Sequence, residues 1–246
     1  MKYYQLKEYP VELILTEQEE KYFGLHNHID HYVIGLVLEG TIVFCEQGKE
    51  ERICQKDDLF TIPYYVVHKL HIKKETRLLS LSIGTTMFEN DSVEKVQAVI
   101  SKCLQKLENQ GIIQKAQSES IFEAVLLLFT LHQVKKHKSH KDIDKVMNQL
   151  KHSPETEIQL EELAQQIYIS KYYLIRKFKS IVGLTPHQFQ IQNKIRHSQE
   201  LIEEGKELIE VSNEMGFYDQ SHFIKSFNKV VGVSPKEYKD SIVPID

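Results

Sequence analysis

Residues 174–189 read L-I-R-K-F-K-S-I-V-G-L-T-P-H-Q-F, and residues 223–238 read F-I-K-S-F-N-K-V-V-G-V-S-P-K-E-Y. The two stretches are 49 positions apart. Each has a large apolar residue, a base two positions on, a phenylalanine two positions after that, a glycine, a Ser/Thr-Pro pair and a closing aromatic. Two copies of one structural unit, each with a cationic face, suggest a device that grips an object twice. A nucleic acid duplex is such an object.

The spacing can be read mechanically. Leu160 to Gln166 predicts a short helix with Leu163 and Ala164 inward, followed by Ile167-Tyr168-Ile169 as a turn. Ser170 then suits an N-cap, because its hydroxyl can accept from an orphan amide of the next helix. In that helix Leu174, Phe178 and Ile181 form the buried stripe, so Tyr172, Ile175, Arg176 and Lys179 project outward. The second copy places Val211 and Ser212 in the first helix, Gly216 at the turn, and Phe223, Phe227 and Val230 inward. Its outward residues are Gln220, Ser221, Ile224 and Lys225. Helix, tight turn and a second helix with an exposed face make a helix-turn-helix able to enter a major groove.

Net charge runs against this at first sight. The chain carries −4, and from Asp142 onward 13 Lys and Arg face 16 Asp and Glu. The local field matters more than the sum. No acid occurs from Leu163 to Gln199, where Lys171, Arg176, Lys177, Lys179, Lys194 and Arg196 all lie, and none from Gln220 to Lys236. The negative charge collects in Glu200 to Glu214. Lys179 and Lys229 flank the reading faces and are the better phosphate candidates. For Lys177, Lys194 and Lys236 a solubilising role is equally open.

The first ninety residues differ. Tyr32 to Phe44 is rich in Val, Ile and Leu and is broken at Glu39-Gly40 by a hairpin-like turn. Val67 to Lys73 alternates, with His68, Leu70 and Ile72 on one face. Short strands at this spacing predict a small antiparallel barrel or sandwich. After Asn90 the period changes: Val93, Val96, Ile100, Cys103 and Leu107 form a helical stripe that stops at Gly111. A second helix, about Ser118 to Lys135, is apolar on more than one side and needs cover, from the barrel or from a second subunit. The basic stretch 135–141 is the best linker. The expected organisation is a barrel over 1–90, a helical packing or dimerisation segment over 91–135, a linker over 136–141 and a DNA-binding half over 142–246.

Other classes have little support. The composition, 41% hydrophobic and 27% charged, is that of a folded soluble protein. No apolar run approaches the ~20 residues of a bilayer span, so a cytoplasmic protein without a membrane partner is expected. Cys45, Cys54 and Cys103 have no CxxC or secreted-domain spacing and read as reduced thiols. No nucleophile triad, phosphate-cradling loop or paired-carboxylate motif is present, so no catalytic residue is assigned.

Residues 142–240 resemble the DNA-binding domain of the AraC/XylS family of bacterial transcription regulators. The carriers are A-Q-Q-I-Y-I-S-K-Y-Y-L-I-R-K-F-K from Ala164 and G-F-Y-D-Q-S-H-F-I-K-S-F-N-K-V-V-G-V-S-P-K-E-Y from Gly216. The resemblance implies an all-α, homeodomain-like pair of helix-turn-helix units joined by a long helix over about 186–203. It implies base contacts from Tyr172, Ile175 and Arg176 in the first copy and Gln220, Ser221, Ile224 and Lys225 in the second. Arg176 is expected on a guanine edge, with Ile175 and Tyr172 on thymine methyls or sugar. Departures are Ser198 and Ser212 where small alanines are usual, and Tyr168 at a turn site that favours residues tolerating positive φ.

The N-terminal part resembles the cupin-like sensor of the same family. H-N-H-I-D-H-Y from His26, E-G-T at the first turn and D-L-F-T-I-P-Y-Y-V-V-H from Asp58 carry the likeness. An α+β two-domain chain is therefore expected, with His26, His28, Tyr32 and His68 recognising a small effector. A sugar or sugar derivative is the family-level expectation. Metal cupins add a glutamate where Val33 stands, and Tyr65 replaces a motif glycine, so neither metal nor cofactor is expected, although three imidazoles suit zinc, iron or copper. The leading reading is a transcription regulator that is not an enzyme, binds double-stranded promoter DNA as a homodimer, answers to a small effector and is open to contact with RNA polymerase. The competing reading is a metal-dependent cupin enzyme with an appended helical domain.

Overall fold

The computed structural model describes residues 1–6, 8–134, 140–156 and 159–244. The chain forms two compact units, Met1–His137 with Ser241–Asp246, and Lys138–Asp240. Residues 136–139 of the expected linker lie outside the described residues.

Among the described residues, the first unit opens with nine strands in chain order: β1 Lys2–Gln5, β2 Val11–Glu17, β3 Lys21–His26, β4 His31–Glu39, β5 Thr41–Glu46, β6 Arg52–Gln55, β7 Leu59–Ile62, β8 His68–Ile72 and β9 Arg77–Gly84. Helices α1 Thr85–Asn90, α2 Val93–Asn109 and α3 Lys115–Val134 follow. A short strand, β10 Ile242–Pro244, returns to pair in parallel with β1. One sheet runs β10-β1-β2-β9-β4-β7 and the other β3-β8-β5-β6. Helices α2 and α3 share a core with the barrel, one of the two covers expected for this segment. The chain from Ser241 belongs to the first unit.

Strand β4 explains why its sequence, V-I-G-L-V-L, does not alternate. Every residue from Tyr32 to Leu38 is buried. Tyr32, Ile34, Leu36 and Leu38 join the core shared with the helices, while Val33 and Val37 face the barrel interior with Ile42, Phe44, Phe60 and Ile72. A strand covered on both faces reads as a continuous apolar run. Gly35 is required here, because a Cβ would stand 2.1 Å from the ring of the buried Phe60.

The turn at Glu39-Gly40 forms, with Gly40 at φ +80, but β4 and β5 do not pair as a hairpin. Both edges of β4 are taken by β9 and β7, so the chain crosses to the other sheet. The buried Thr76 hydroxyl pins the crossing, accepting from Thr41 N at 3.1 Å and donating to Thr41 O at 2.9 Å.

The α2 stripe is spent inside the chain. Val96, Ile100, Cys103 and Leu107 are all buried in the core they share with the outer face of the larger sheet. At roughly 1.5–3 kcal/mol for a fully buried Val, Leu or Ile, this packing is what docks the helix. Gly111, at φ +67, follows its end. On α3, Ile121, Val125 and Leu128 are buried while Leu127 and Leu131 stay exposed, which accounts for a helix apolar on several sides.

The second unit is helical: α4 Lys141–His152, α5 Leu160–Gln166, α6 Lys171–Val182, α7 Pro186–Glu203, α8 Leu208–Glu214, α9 Gln220–Val231 and α10 Pro235–Ser241. The repeat is reproduced in detail. Helices α6 and α9 each have 12 residues, begin at a side-chain cap (Ser170, Asp219) and end on a glycine at φ +85 (Gly183, Gly232). The Ser/Thr-Pro pairs start the next helices through reciprocal capping bonds, Thr185 with Gln188 and Ser234 with Glu237. Leu174, Phe178, Phe223 and Phe227 are fully buried, whereas Ile181 and Val230 are only half-buried and Val182 replaces Ile181 in the core. Helix α7 packs against α4, α6, α8 and α9. Its Ser198 is fully buried and donates to Lys194 O at 2.7 Å, so the hydroxyl is satisfied at a site that requires a small side chain.

Candidate nucleic-acid interface and sensor site

Two short helices, α5 and α8, hold the frames from which α6 and α9 project. Ser170 Oγ accepts from Tyr173 N at 3.3 Å, and Asp219 Oδ1 accepts from His222 N at 2.6 Å. Past these caps the predicted outward positions lie at the surface. Tyr172, Arg176 and Lys179 are exposed and Ile175 is half-buried on α6. Gln220, Ser221, Ile224, Lys225 and Lys229 are exposed on α9. Among the described residues, Arg176, Lys179, Lys225 and Lys229 take no carboxylate partner, whereas Lys171, Lys177, Lys206 and Lys239 do.

The remaining cations are not all part of a bare face. Lys171 pairs with Glu161 at 2.6 Å, which raises the lysine pKa and lowers that of the carboxylate through a direct hydrogen bond. Lys177 reaches Asp142 at 3.5 Å. Lys194, expected as a surface charge, is buried. Its ammonium donates to Gly216 O at 2.8 Å and lies 5.4 Å from the Phe217 ring centroid. It braces the second turn from α7, a role with no local signal in sequence.

The two turns share one conformation. Tyr168 is at φ +57 and Gly216 at φ +62, so the strain foreseen for the tyrosine is present. The Tyr168 ring is 97% exposed, and Tyr218, one extra residue before the second cap, is 93% exposed. Sequence reading did not single out Tyr218. The change of repeat offset from 48 at the turn to 49 at the cap was the available signal.

In the barrel, β3 ends on His26, which lies directly opposite His68, the first residue of β8. His28 follows in the next loop. Ring centroids are 4.2 Å apart for His26–His68, 5.2 Å for His26–His28 and 5.0 Å for His28–His68. His26 Nδ1 contacts Gly24 O at 2.7 Å and His68 Nδ1 contacts Val66 O at 2.9 Å. A carbonyl only accepts, so both rings carry a proton on Nδ1, and in the neutral form the lone pair is on Nε2. Burial, reinforced by the neighbouring His26, pushes the His68 pKa down to about 3. Phe44 and Phe23 back the cluster at 5.8 Å from His68 and 6.1 Å from His26.

Tyr32 does not join them. It points from the opposite face of β4 into the core shared with the helices. There its hydroxyl meets His132 Nδ1 of α3 at 2.9 Å, and its ring packs edge-on against Tyr64 and Phe88 at 5.1 Å. Burial drives its pKa well above the usual tyrosine range. The four expected effector residues thus occupy two places. A cleft of about 360 Å³ opens beside β5–β7, lined by Phe44, Glu46, Arg52 and Phe60 among others. None of these had been picked out from the sequence, although Glu46 is the register partner of His68.

A two-sheet domain followed by a duplicated helix-turn-helix with exposed polar faces has the organisation of a regulator with separate ligand-binding and DNA-binding domains. Comparison with known families agrees. A model described as an AraC-like ligand binding domain matches residues 8–167, and one described as a helix-turn-helix domain matches 163–241. The chain belongs to the AraC family of transcriptional regulators. It is 28% identical over 102 residues to the MmsAB operon regulatory protein of Pseudomonas aeruginosa, 41% of this chain and 33% of that protein. It is 28% identical over 96 residues to the transcriptional regulatory protein HptR of Staphylococcus aureus, 39% and 38% of the two chains. The matches thus span about a third of the length of these curated relatives. The crystal structure of ToxT from Vibrio cholerae O395 superposes with a TM-score of 0.63 at 13% identity, covering 94% of this chain and 98% of that one, which shows a shared fold.

Proposed function

We propose that this protein binds promoter DNA sequence-specifically and that a small molecule held in its barrel modulates the binding. The observation that carries the reading is the duplicated 12-residue helix, capped alike in both copies and bearing exposed cations without carboxylate partners. Arg176 reads a base edge, Tyr172, Ile175, Gln220, Ser221, Ile224 and Lys225 complete the two reading faces, and Lys179 and Lys229 hold phosphates. The test is selection from a random duplex pool by the purified protein. Two short conserved blocks, centred about 10–10.5 base pairs apart as for paired helix-turn-helix units, are expected. A pool that stays unenriched overturns the reading.

The effector site is the His26, His28 and His68 cluster, with Tyr32 acting from the helix side of β4. A sugar or sugar derivative remains the first class to screen. One ToxT structure holds an unsaturated fatty acid, so such acids belong in the screen as well. Binding shifts the population of arrangements in which the DNA-binding half is presented, and an isolated 142–246 fragment should then ignore the effector. Because the α2 stripe is consumed internally, homodimerisation falls to the exposed Leu127 and Leu131 on α3. Contact with RNA polymerase, a cytoplasmic location and the absence of catalysis belong to the same reading. No helix among the described residues is long and apolar enough to cross a membrane. The enzyme alternative has only the histidine cluster in its favour.

A further inference from the structure

We propose that His26, His28 and His68 form a binding site for one divalent first-row transition-metal ion of the zinc type, so that the sensor barrel takes a metal as its ligand. The inference rests on the reading of the barrel as the sensor and names the ligand class for it. One nitrogen from each of the three histidines lies within 4.8 Å of the other two. A zinc-like ion sits about 2.0–2.1 Å from each nitrogen, so tetrahedral donors stand roughly 3.4 Å apart, inside the 4.8 Å within which these three nitrogens lie.

Three features fit an ion. First, the donors are imidazoles, which suit borderline metals, and a three-imidazole set is a complete protein ligand set with one position left open. The residue at 33, which weighed against a metal in the sequence, is then not needed. Second, the orientation of two donors is fixed from behind. The Nδ1 protons of His26 and His68 rest on the carbonyls of Gly24 and Val66, the outer-shell bond that presents Nε2 to a metal. Third, access is graded: His68 is 1% exposed while His26 and His28 are half-buried, so the cluster has a dry floor and an entry. Phe44 and Phe23 supply the apolar backing. The nearest acid in register, Glu46 opposite His68, is engaged by Lys49. A fourth imidazole, His31, lies 4.3 Å from the His28 ring and is bonded to Asp30 at 2.9 Å, so one carboxylate stands near the three neutral donors.

The test uses the full chain, stripped with EDTA and titrated with cobalt(II) chloride. Uptake of one ion per chain with visible d–d absorption, displaced by zinc chloride, and a rise in melting temperature on loading are expected. His26→Gln and His28→Gln, both at half-buried positions, should each weaken cobalt binding at least about tenfold while melting, metal-free, as the parent does. Uptake by the parent no greater than by the double variant His26→Gln/His28→Gln overturns the proposal, the other histidines of the chain then accounting for it. DNA selection is run on the same preparations. Sequence-selective DNA binding without cobalt uptake overturns the metal site and leaves the regulator reading standing. Cobalt uptake by a chain that selects no DNA supports the site and overturns that reading.

Discussion

The two helix-turn-helix units bend their backbones alike and fill the bend differently. In the first, Tyr168 holds φ +57 with its ring almost wholly in solvent. In the second, Gly216 holds φ +62 against the rest of the domain: a Cβ there would stand 2.7 Å from Glu155 O and 3.4 Å from Lys194 Nζ. One turn carries strain and has room. The other has neither room nor, thanks to glycine, strain. A left-handed turn therefore needs glycine for two separable reasons, conformation and space, and this chain separates them.

The largest effect is expected where both reasons act. Gly216→Ala should destabilise the protein by about 2–4 kcal/mol, combining left-handed strain with overpacking against backbone, read as a shift in the urea midpoint. A loss below half a kilocalorie would mean that the second turn relaxes as easily as the first. Next come the reading faces. Arg176→Ala should lose about 1–3 kcal/mol of discrimination at one base position of the selected site with non-specific affinity nearly unchanged. An equal loss on all sequences would reassign Arg176 to phosphate. Tyr168→Gly runs the other way and should raise stability by about 1 kcal/mol by relieving strain without creating a cavity. If DNA affinity falls at the same time, the exposed ring has a contact on the duplex. The smallest change is expected from Lys179→Ala and Lys229→Ala, each lowering the steepness of log affinity against log salt by about 0.9. A slope that does not move would exclude that lysine from the phosphate contacts.

What could be read in advance was whatever is local. Caps, glycine stops, Ser/Thr-Pro starts and the left-handed site at 168 depend on residues within one turn of each other, and all appear where the repeat placed them. Strand pairing is not local. The Glu39-Gly40 turn was visible, but nothing near it revealed that β9 and β7 already occupy both edges of β4. Lys194 was misread for the same reason, since its partner Gly216 O is 22 residues away. The effector set was divided by a rule within reach. Side chains alternate along a strand, so Val33 facing the barrel interior obliges Tyr32 to face the helices.

That alternation gives β4 a consequence of its own. Val33 packs in the barrel-interior core, and the next residue back, Tyr32, is latched to His132 near the end of α3. With atoms packed tightly on either side and no slack volume to absorb movement, a shift of Val33 is expected to displace the latch with it. The ribbon between core and helix should thus act as a stiff membrane, like a drumhead pressed from one side and felt on the other.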